Sequence, residues 1–371
     1  MGGRGFGVML LDHLWYVVEK FDLEFTLFVG ACEKTIQYLC DTVSGFQIKK
    51  IELDYPVSDD EIVSRTEVAL QSDSRIKLVL MDAITSLPGV HFPWEQVCEL
   101  CRQHNVYSLV DAAHAVTQIP VDVSKTQPDF FVSNLHKWSY VPRGCALLYV
   151  RRHLQRLLHC IPIGHGYVSA SQPFVPSPVQ TSPEGQWVTE HEWAGTIDWS
   201  GYLSVDTAFE FIANCGGGEK IREYCHGLAV QGGDRAAEIL GTEVLKCPGS
   251  EYTANMVNVR LPLDVPSEKS GTHLEELAAQ REMLFDSLFE RDCFPYPFVM
   301  TRRGKREWWC RFSAQVYVDL GDFEIAAKML KEICETLQGI DFSMVIKKQN
   351  DQKVAEDMEN MALDPEASYK N

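Results

Sequence analysis

The chain has too few basic residues for a nucleic-acid-binding surface. Its 371 residues include 34 Lys and Arg against 52 Asp and Glu, which gives a formal net charge of −18. Proteins that bind phosphate backbones need clustered Lys and Arg, so the composition argues against nucleic acid as a partner. The same excess of negative charge disfavours docking on anionic lipid.

Long apolar runs are also missing. Nothing approaches the run of about 20 apolar residues that spans a bilayer. The stretch 8–18 comes nearest, but Asp12 and His13 interrupt it. It has no basic start and no small-residue cleavage site, as a secretory signal would have. We therefore predict neither a membrane span nor a signal peptide.

Cysteine is too sparse for a disulfide scaffold, with 12 residues in 371. Cys98 and Cys101 form a single C-x-x-C within a predicted helix at 94–104. A structural zinc site would need a second pair at matching spacing, and the sequence has none. The two side chains share one helical face, which favours core packing. We expect reduced thiols, no metal site and a cytoplasmic location.

The middle of the chain alternates short apolar runs with stretches of helical spacing. The apolar runs are 76–81, 106–110, 130–132 and 145–150. This alternation is typical of β-α-β units and predicts an α/β domain with a mainly parallel central sheet. Further along, helical patterns at 219–240, 272–290 and 322–337 are mixed with strand-like runs at 251–261 and 308–318. A smaller C-terminal α+β domain is therefore expected, in line with a length of about 150 residues per domain.

The segment 109–149 combines three features that suggest chemistry. Asp111 ends an apolar run and begins D-A-A-H-A, and S-N-L-H-K-W follows at 133–138 before a Pro-Arg-Gly turn. Ligands of parallel sheets bind beyond the carboxyl ends of the strands, which is where both motifs are expected. A lysine can form a Schiff base, and a carboxylate can hold a protonated pyridine nitrogen. Ser133 and His136 could hold a phosphate. Together these groups meet the requirements of pyridoxal 5′-phosphate (PLP).

The segment resembles the cofactor-binding core of class V, fold-type I, PLP-dependent enzymes. The resemblance depends on S-x-x-H-K-W followed by P-R-G-x-x-x-L-Y, and on W-A-G-T-I-D at 193–198, which is similar to the family's W-x-G-T-x-D. It extends over about 30–337. Within the class the chain is most similar to the isopenicillin N epimerase-like group, which includes cysteine desulfurase-like C–S lyases.

The resemblance implies roles for five residues around the cofactor. Lys137 would form the Schiff base and carry the proton at the substrate Cα. Asp111 would pair with the pyridine nitrogen. His114 would lie near the phenolic oxygen of PLP. Ser133 and His136 would contact the phosphate.

Four further residues follow from the same resemblance. Thr196 would complete the phosphate site of a second subunit, which implies a homodimer. Arg311, in R-F-S-A-Q-V-Y, would clamp the carboxylate of a small amino-acid substrate with its planar fork. His165 and Tyr167 would either line the substrate side or serve in packing.

Two departures from the family pattern bear on the reaction. Persulfide-forming cysteine desulfurases carry a loop cysteine shortly after the carboxylate arginine, whereas Arg311 is followed by F-S-A-Q-V. Cys310 precedes the arginine and points to the opposite side on an extended strand. The N-terminal stretch 1–29 lacks a recognisable small-residue turn for the phosphate, and Phe28 is the candidate for stacking on the cofactor ring.

The expected function is that of a PLP-dependent enzyme acting on an amino acid or a cysteine-derived substrate. We favour C–S lyase chemistry by β-elimination, as in hercynylcysteine sulfoxide lyase, because it needs no catalytic cysteine. Epimerase and aminotransferase activities stay open, as does a truncated, non-catalytic paralogue that binds PLP poorly.

The expected organisation has four parts: a divergent or truncated N-terminal segment (1–29), a large PLP-binding domain (30–215) whose stretch 160–201 is an active-site crossing loop, a smaller C-terminal α+β domain (216–346) and a disordered polar tail (347–371).

Overall fold

The computed structural model describes residues 24–27, 33–45, 47–161, 163–169, 185–192, 195–269 and 271–347. These residues form two compact units. The first contains the described residues up to Gly227 together with Lys246–Met256, and the second contains Leu228–Leu245 and the described residues from Val257 onward.

A six-stranded sheet forms the centre of the first unit. Its strands are β1 (Glu24–Leu27), β2 (Gln47–Lys50), β3 (Ile76–Asp82), β4 (Tyr107–Asp111), β5 (Phe130–Ser133) and β6 (Leu147–Val150). They lie in the order β2-β1-β3-β4-β5-β6, and every pair is parallel except β5 with β6. Strands β3, β4 and β5 are almost continuously buried, as expected for parallel strands covered on both faces.

Helices connect the strands of the first unit. They are α1 (Glu33–Thr42), α2 (Asp59–Ser72), α3 (Trp94–Gln103), α4 (Val123–Thr126), α5 (Leu135–Trp138), a 3₁₀ turn (Arg152–Leu157), α6 (Gln186–Glu192), α7 (Ser200–Leu203) and α8 (Val205–Asn214). The next helix, α9 (Gly218–Leu240), begins in the first unit and ends in the second. The division between the two units thus lies within α9, whereas a boundary before this helix was predicted from the sequence.

Apolar residues from α1 and the central strands form a core on one side of the sheet. Ile36 and Leu39 of α1 pack with Leu80 of β3, Leu109 of β4 and Phe130 of β5. On α3, Cys98 and Cys101 are buried, as their helical spacing predicts. The eleven cysteines in the described part of the chain are all free thiols.

The second unit contains a smaller sheet and two long helices. Its strands are β7 (Met256–Arg260), β8 (Tyr296–Arg302) and β9 (Lys305–Ser313), in the order β7-β9-β8, and its helices are α10 (His273–Phe289) and α11 (Leu320–Gln338). Trp308 of β9 donates a hydrogen bond to Gln280 of α10 at 2.7 Å. Phe312 of β9 stacks on Phe323 of α11. One face of β9 therefore packs against these helices.

The prediction of an α/β fold with a mainly parallel sheet is confirmed. Several elements were not predicted, among them α1, α2 and β8. Strand β8 contains Pro297, which argues against a central strand because proline donates no ladder hydrogen bond. In the structure β8 lies at the edge of its sheet, where proline is tolerated.

Among the described helices, none is long and apolar enough to cross a membrane. The predicted polar tail lies outside the described residues from 348 onward.

Candidate active site

The carboxyl ends of three neighbouring strands bring polar side chains together. β3 ends at Asp82, β4 at Asp111 and β5 at Ser133. Asp82 and Asp111 are register partners in parallel strands. Both are buried, with 7% and 8% of their surface exposed. This is the end of a parallel sheet at which ligands bind.

Asp111 is held in place by the turn that follows it. Its Oδ1 atom accepts a hydrogen bond from the backbone N–H of Ala113 at 3.0 Å. Its backbone carbonyl accepts a second one from the N–H of Ala83 at 2.8 Å. The D-A-A-H motif therefore fixes the carboxylate beside the adjacent strand end.

His114 links the two motifs that the sequence analysis singled out. The indole N–H of Trp138 donates to Nδ1 of His114 at 3.0 Å, and Nε2 of His114 lies 3.2 Å from Nζ of Lys137. An indole nitrogen only donates, so Nδ1 must accept. The neutral imidazole consequently carries its proton on Nε2, the atom that faces Lys137. An Nε2–H group can donate to the lysine nitrogen only when that nitrogen has a lone pair.

A second hydrogen-bonded chain supports the His114 turn and was not predicted. The carbonyl of His114 accepts from Nε2 of Gln118 at 2.7 Å. The side-chain oxygen of Gln118 accepts from the backbone N–H of Asn255 at 2.9 Å. No sequence pattern signals this link, because its two ends are far apart in the chain.

Lys137 lies on α5, the single turn that follows β5. Its side chain is exposed, so the amine is accessible to a carbonyl compound. The neighbouring His136 is anchored through Nδ1, 2.8 Å from the carbonyl of Cys145. The tight Pro-Arg-Gly turn that brings Cys145 to this position contains Gly144 with φ +94°. A left-handed backbone of this kind favours glycine.

The predicted phosphate ligands differ in their availability. The hydroxyl of Ser133 is buried and donates to the carbonyl of Ala112 at 2.7 Å, so its proton is used within the chain. His136 uses only Nδ1, and its Nε2 makes no hydrogen bond with the described residues. Beside them, Oδ1 of the buried Asn134 has no hydrogen-bond partner among the described residues.

The donor set at this sheet end fits PLP. An accessible primary amine, a fixed carboxylate on the next strand and an imidazole N–H directed at the amine lie within one constellation. Next to Ser133 in the chain, the buried Oδ1 of Asn134 has no hydrogen-bond partner among the described residues, and such an atom needs a donor from a ligand or water. Lys137, Asp111 and His114 would hold the cofactor, with His136 on its phosphate side.

Asp82 is a titratable group of this site that the sequence analysis missed. Burial, reinforced by the charge of Asp111, raises its pKa well above the ordinary value for aspartate, while Lys137 acts in the opposite direction. Burial likewise raises the pKa of Tyr55, and Asp82 adds to that effect. A signal was present, because I-K-L-V-L-M-D ends an apolar strand with aspartate in the same way as Y-S-L-V-D.

Thr196, His165 and Tyr167 are not joined to this cluster within the described part of the chain. Thr196 is exposed in a bend after Gly195, and residues 193 and 194 of its motif lie outside the described residues. His165 is exposed, and the ring centroid of Tyr167 lies 5.1 Å from that of His159 in an edge-to-face arrangement. No hydrogen bond or ring contact connects these three to Lys137 or His114 in the described ranges. Phe28, the candidate stacking residue, lies outside the described residues.

Arg311 belongs to the second unit, on β9. Its guanidinium carbon lies 5.7 Å from the ring centroid of Tyr296 on β8. Burial lowers its pKa from the ordinary value for arginine. Cys310, the next residue on the strand, is fully buried, and burial raises the pKa of its thiol. A buried thiol of this kind is a poor nucleophile because it stays protonated.

The amino-acid sequence is similar to that of one known enzyme family and to several of its members. The aminotransferase class-V family matches residues 36–279. The L-cysteine desulfhydrase-like protein lolT1 of Epichloe uncinata is 34% identical over 336 residues, covering 83% of this chain and 73% of that protein. The hercynylcysteine sulfoxide lyase of Schizosaccharomyces pombe is 28% identical over 333 residues, covering 89% of this chain and 77% of that protein.

The fold also resembles that of solved structures. The apo structure of a cysteine desulfurase from Thermococcus onnurineus NA1 matches with a TM-score of 0.66, covering 89% of this chain and 78% of that one. At 18% sequence identity, the likeness concerns the fold alone.

Proposed function

The chain belongs to the aminotransferase class-V family, and from that premise we propose that it is a PLP-dependent C–S lyase acting on a cysteine-derived substrate. The observation that carries the proposal is the Trp138–His114–Lys137 chain of contacts beside Asp111. The relatives named as a cysteine desulfhydrase-like protein and a hercynylcysteine sulfoxide lyase support the choice of substrate class.

Besides Lys137, four residues are assigned to holding the cofactor. Asp111 would hold the pyridine nitrogen, and His114 would lie beside the phenolic oxygen. His136 contributes to the phosphate site through Nε2, whereas the Ser133 hydroxyl would have to turn its proton from the Ala112 carbonyl to a phosphate oxygen. When bound, PLP supplies an electron sink for the charge that develops at the substrate Cα.

Lys137 is the acid–base group of the reaction. As a neutral amine it takes the proton from the substrate Cα, and the bond between Cβ and sulfur then breaks with its electron pair leaving on sulfur. His114 favours this state of Lys137, because its Nε2–H donates only to an amine that has a lone pair. Arg311 is assigned to the substrate carboxylate, which its planar guanidinium can hold with two hydrogen bonds.

The state of Cys310 favours a lyase over a persulfide-forming desulfurase. A desulfurase needs a thiolate that attacks the substrate sulfur. Cys310 is fully buried and its pKa is raised, so it does not meet that need. A β-elimination releases the sulfur group without a protein nucleophile.

The proposal also covers the oligomeric state of the enzyme and its location in the cell. A homodimer would place Thr196 in the phosphate site of its partner, and the enzyme would work in the cytoplasm. Light scattering measures the assembly. A fully active monomer would contradict the role of Thr196 between subunits.

The test is a comparison of the purified chain with its Lys137→Ala variant. Loaded with PLP, the wild type should show a visible absorbance band that borohydride abolishes. Incubation with L-cysteine and cysteine conjugates should release pyruvate, ammonia and a sulfur product. Exchange of the Cα proton with inversion, or amino-group transfer to a keto acid, without pyruvate, would refute the lyase assignment. Absence of the band would identify a chain that does not hold PLP.

A further inference from the structure

Asp82 is a buried carboxyl group to which the proposed reaction assigns no role. It ends β3 as Asp111 ends β4, and the two residues are register partners. Side chains at paired positions of parallel strands project from the same face of the sheet, and the strands are roughly 4.8 Å apart. Asp82 and Asp111 therefore lie side by side at the end of the sheet that carries Lys137.

The side chain of Asp82 forms no hydrogen bond with the described residues, although only 7% of its surface is exposed. An ionised carboxylate in such a place is unfavourable without donors, and a second carboxylate on the adjacent strand adds repulsion. The titratable groups whose charge acts on it are Asp111 from β4 and Lys137 from α5, and Tyr55 faces it from the segment before α2. Burial and Asp111 together outweigh Lys137, so the pKa of Asp82 is raised.

We propose that Asp82 is a positioning residue of the cofactor site, a carboxylic acid that keeps its proton so that Asp111 carries the only negative charge of the pair. The inference rests on the proposed function, in which Asp111 holds the pyridine nitrogen. One anion then faces one pyridinium. A second anion would stabilise the protonated form of Lys137, which cannot take the proton from the substrate Cα.

Thermal unfolding against pH tests the protonation state without any turnover. Because the pKa is raised in the folded state, the unfolded chain loses its proton above about pH 4 while the folded chain keeps it. The wild type is therefore progressively destabilised as the pH rises through this range. Asp82→Asn mimics the neutral acid and has no proton to lose at this position, so it should not show this pH-dependent loss of stability. Its Tm should exceed that of the wild type by an amount that grows from pH 5 to pH 8.

Asp54→Asn is the matched control, since it removes an exposed carboxylate and makes the same change in net charge. Its Tm difference from the wild type should not grow with pH. A difference for Asp82→Asn that is constant, or that shrinks as the pH rises, would overturn the proposal.

Infrared spectroscopy of the wild type covers the case in which Asp82→Asn does not fold. At pH 8 the wild type and Asp54→Asn should both show the C=O stretch of a protonated carboxylic acid, and a folded Asp82→Asn should lack it. A wild-type spectrum without this band overturns the proposal by itself.

A third measurement tests whether Asp82 is neutral when the nitrogen of Lys137 titrates. With PLP bound, the visible absorbance is titrated with pH, and its midpoint reports the proton on the lysine nitrogen. Replacing a neutral acid by Asn should leave the midpoint in place, whereas removing an anion would lower it by about one pH unit or more. A downward shift overturns the proposal. The unfolding and infrared results need neither PLP nor substrate, so they judge Asp82 separately from the lyase assignment.

Discussion

Trp138→Phe removes one donor and leaves most of the surrounding packing in place. The indole N–H of Trp138 donates to Nδ1 of His114 at 3.0 Å, and the ring packs with Ile84, Ala254 and Met256. Phenylalanine keeps an aromatic ring in this cluster but has no N–H group. The substitution therefore isolates the hydrogen bond that fixes the tautomer of His114.

The expected loss in free energy of unfolding follows from the burial of His114. A net hydrogen bond between neutral groups contributes about 0.5–1.5 kcal/mol, and leaving the buried Nδ1 without its donor costs about 1–3 kcal/mol. We expect the free energy of unfolding to fall by about 1–3 kcal/mol, with the smaller ring contributing part of the loss. The preference for the Nε2–H tautomer should weaken by about tenfold, since 1.4 kcal/mol corresponds to a factor of ten.

The assay combines ¹⁵N NMR of histidine-labelled protein with urea unfolding and the rate of pyruvate release. Wild-type His114 should carry its proton on Nε2 alone, and Trp138→Phe should populate both ring nitrogens. In the Nδ1–H form, Nε2 can no longer donate toward Lys137 or the cofactor, so turnover should fall with the fraction of the Nε2–H form, by about twofold when the two tautomers are equally populated. Trp94→Phe is the control, because Trp94 is a buried indole on α3 that packs on Phe131.

The reasoning would be refuted by a single unchanged tautomer in Trp138→Phe. Turnover equal to that of Trp94→Phe, at a similar loss of stability, would lead to the same conclusion. Either result would mean that packing orients His114, and that the indole hydrogen bond does not.

Three further predictions follow from the site and the second unit. Lys137→Ala should abolish the visible band of bound PLP, and borohydride reduction of the wild type should label Lys137; a label on another lysine would contradict the assignment. Arg311→Lys should raise KM about tenfold or more with a smaller effect on kcat, because it loses the planar fork and the contact with Tyr296; an unchanged KM would remove Arg311 from the carboxylate site. Gly232→Ala should lower the free energy of unfolding by about 1–3 kcal/mol in urea titrations, since its Cβ would meet the ring of Phe323; Gly271→Ala, with nothing within 4 Å, should have no such effect.

The sequence predicted the elements that local periodicity encodes. Apolar runs ending in Asp111 and Ser133 indicated two buried strands, and parallel strands carry such residues to the same end of the sheet. The position of Lys137 in the turn after the second strand followed from its motif. Local order therefore specified that Asp111, Ser133 and Lys137 lie at one end of the sheet.

Other features of the site and fold depend on pairing between segments that are distant in the chain, and only the tertiary structure determines them. Asp82 entered the site because the register of β3 and β4 aligns it with Asp111, and one residue of slippage would have turned it to the other face. Pro297 lies in a strand because that strand is at a sheet edge, which its own residues do not specify. The Nε2–H tautomer of His114 likewise depends on Trp138, 24 residues away, whose N–H reaches Nδ1 only once the two motifs lie together.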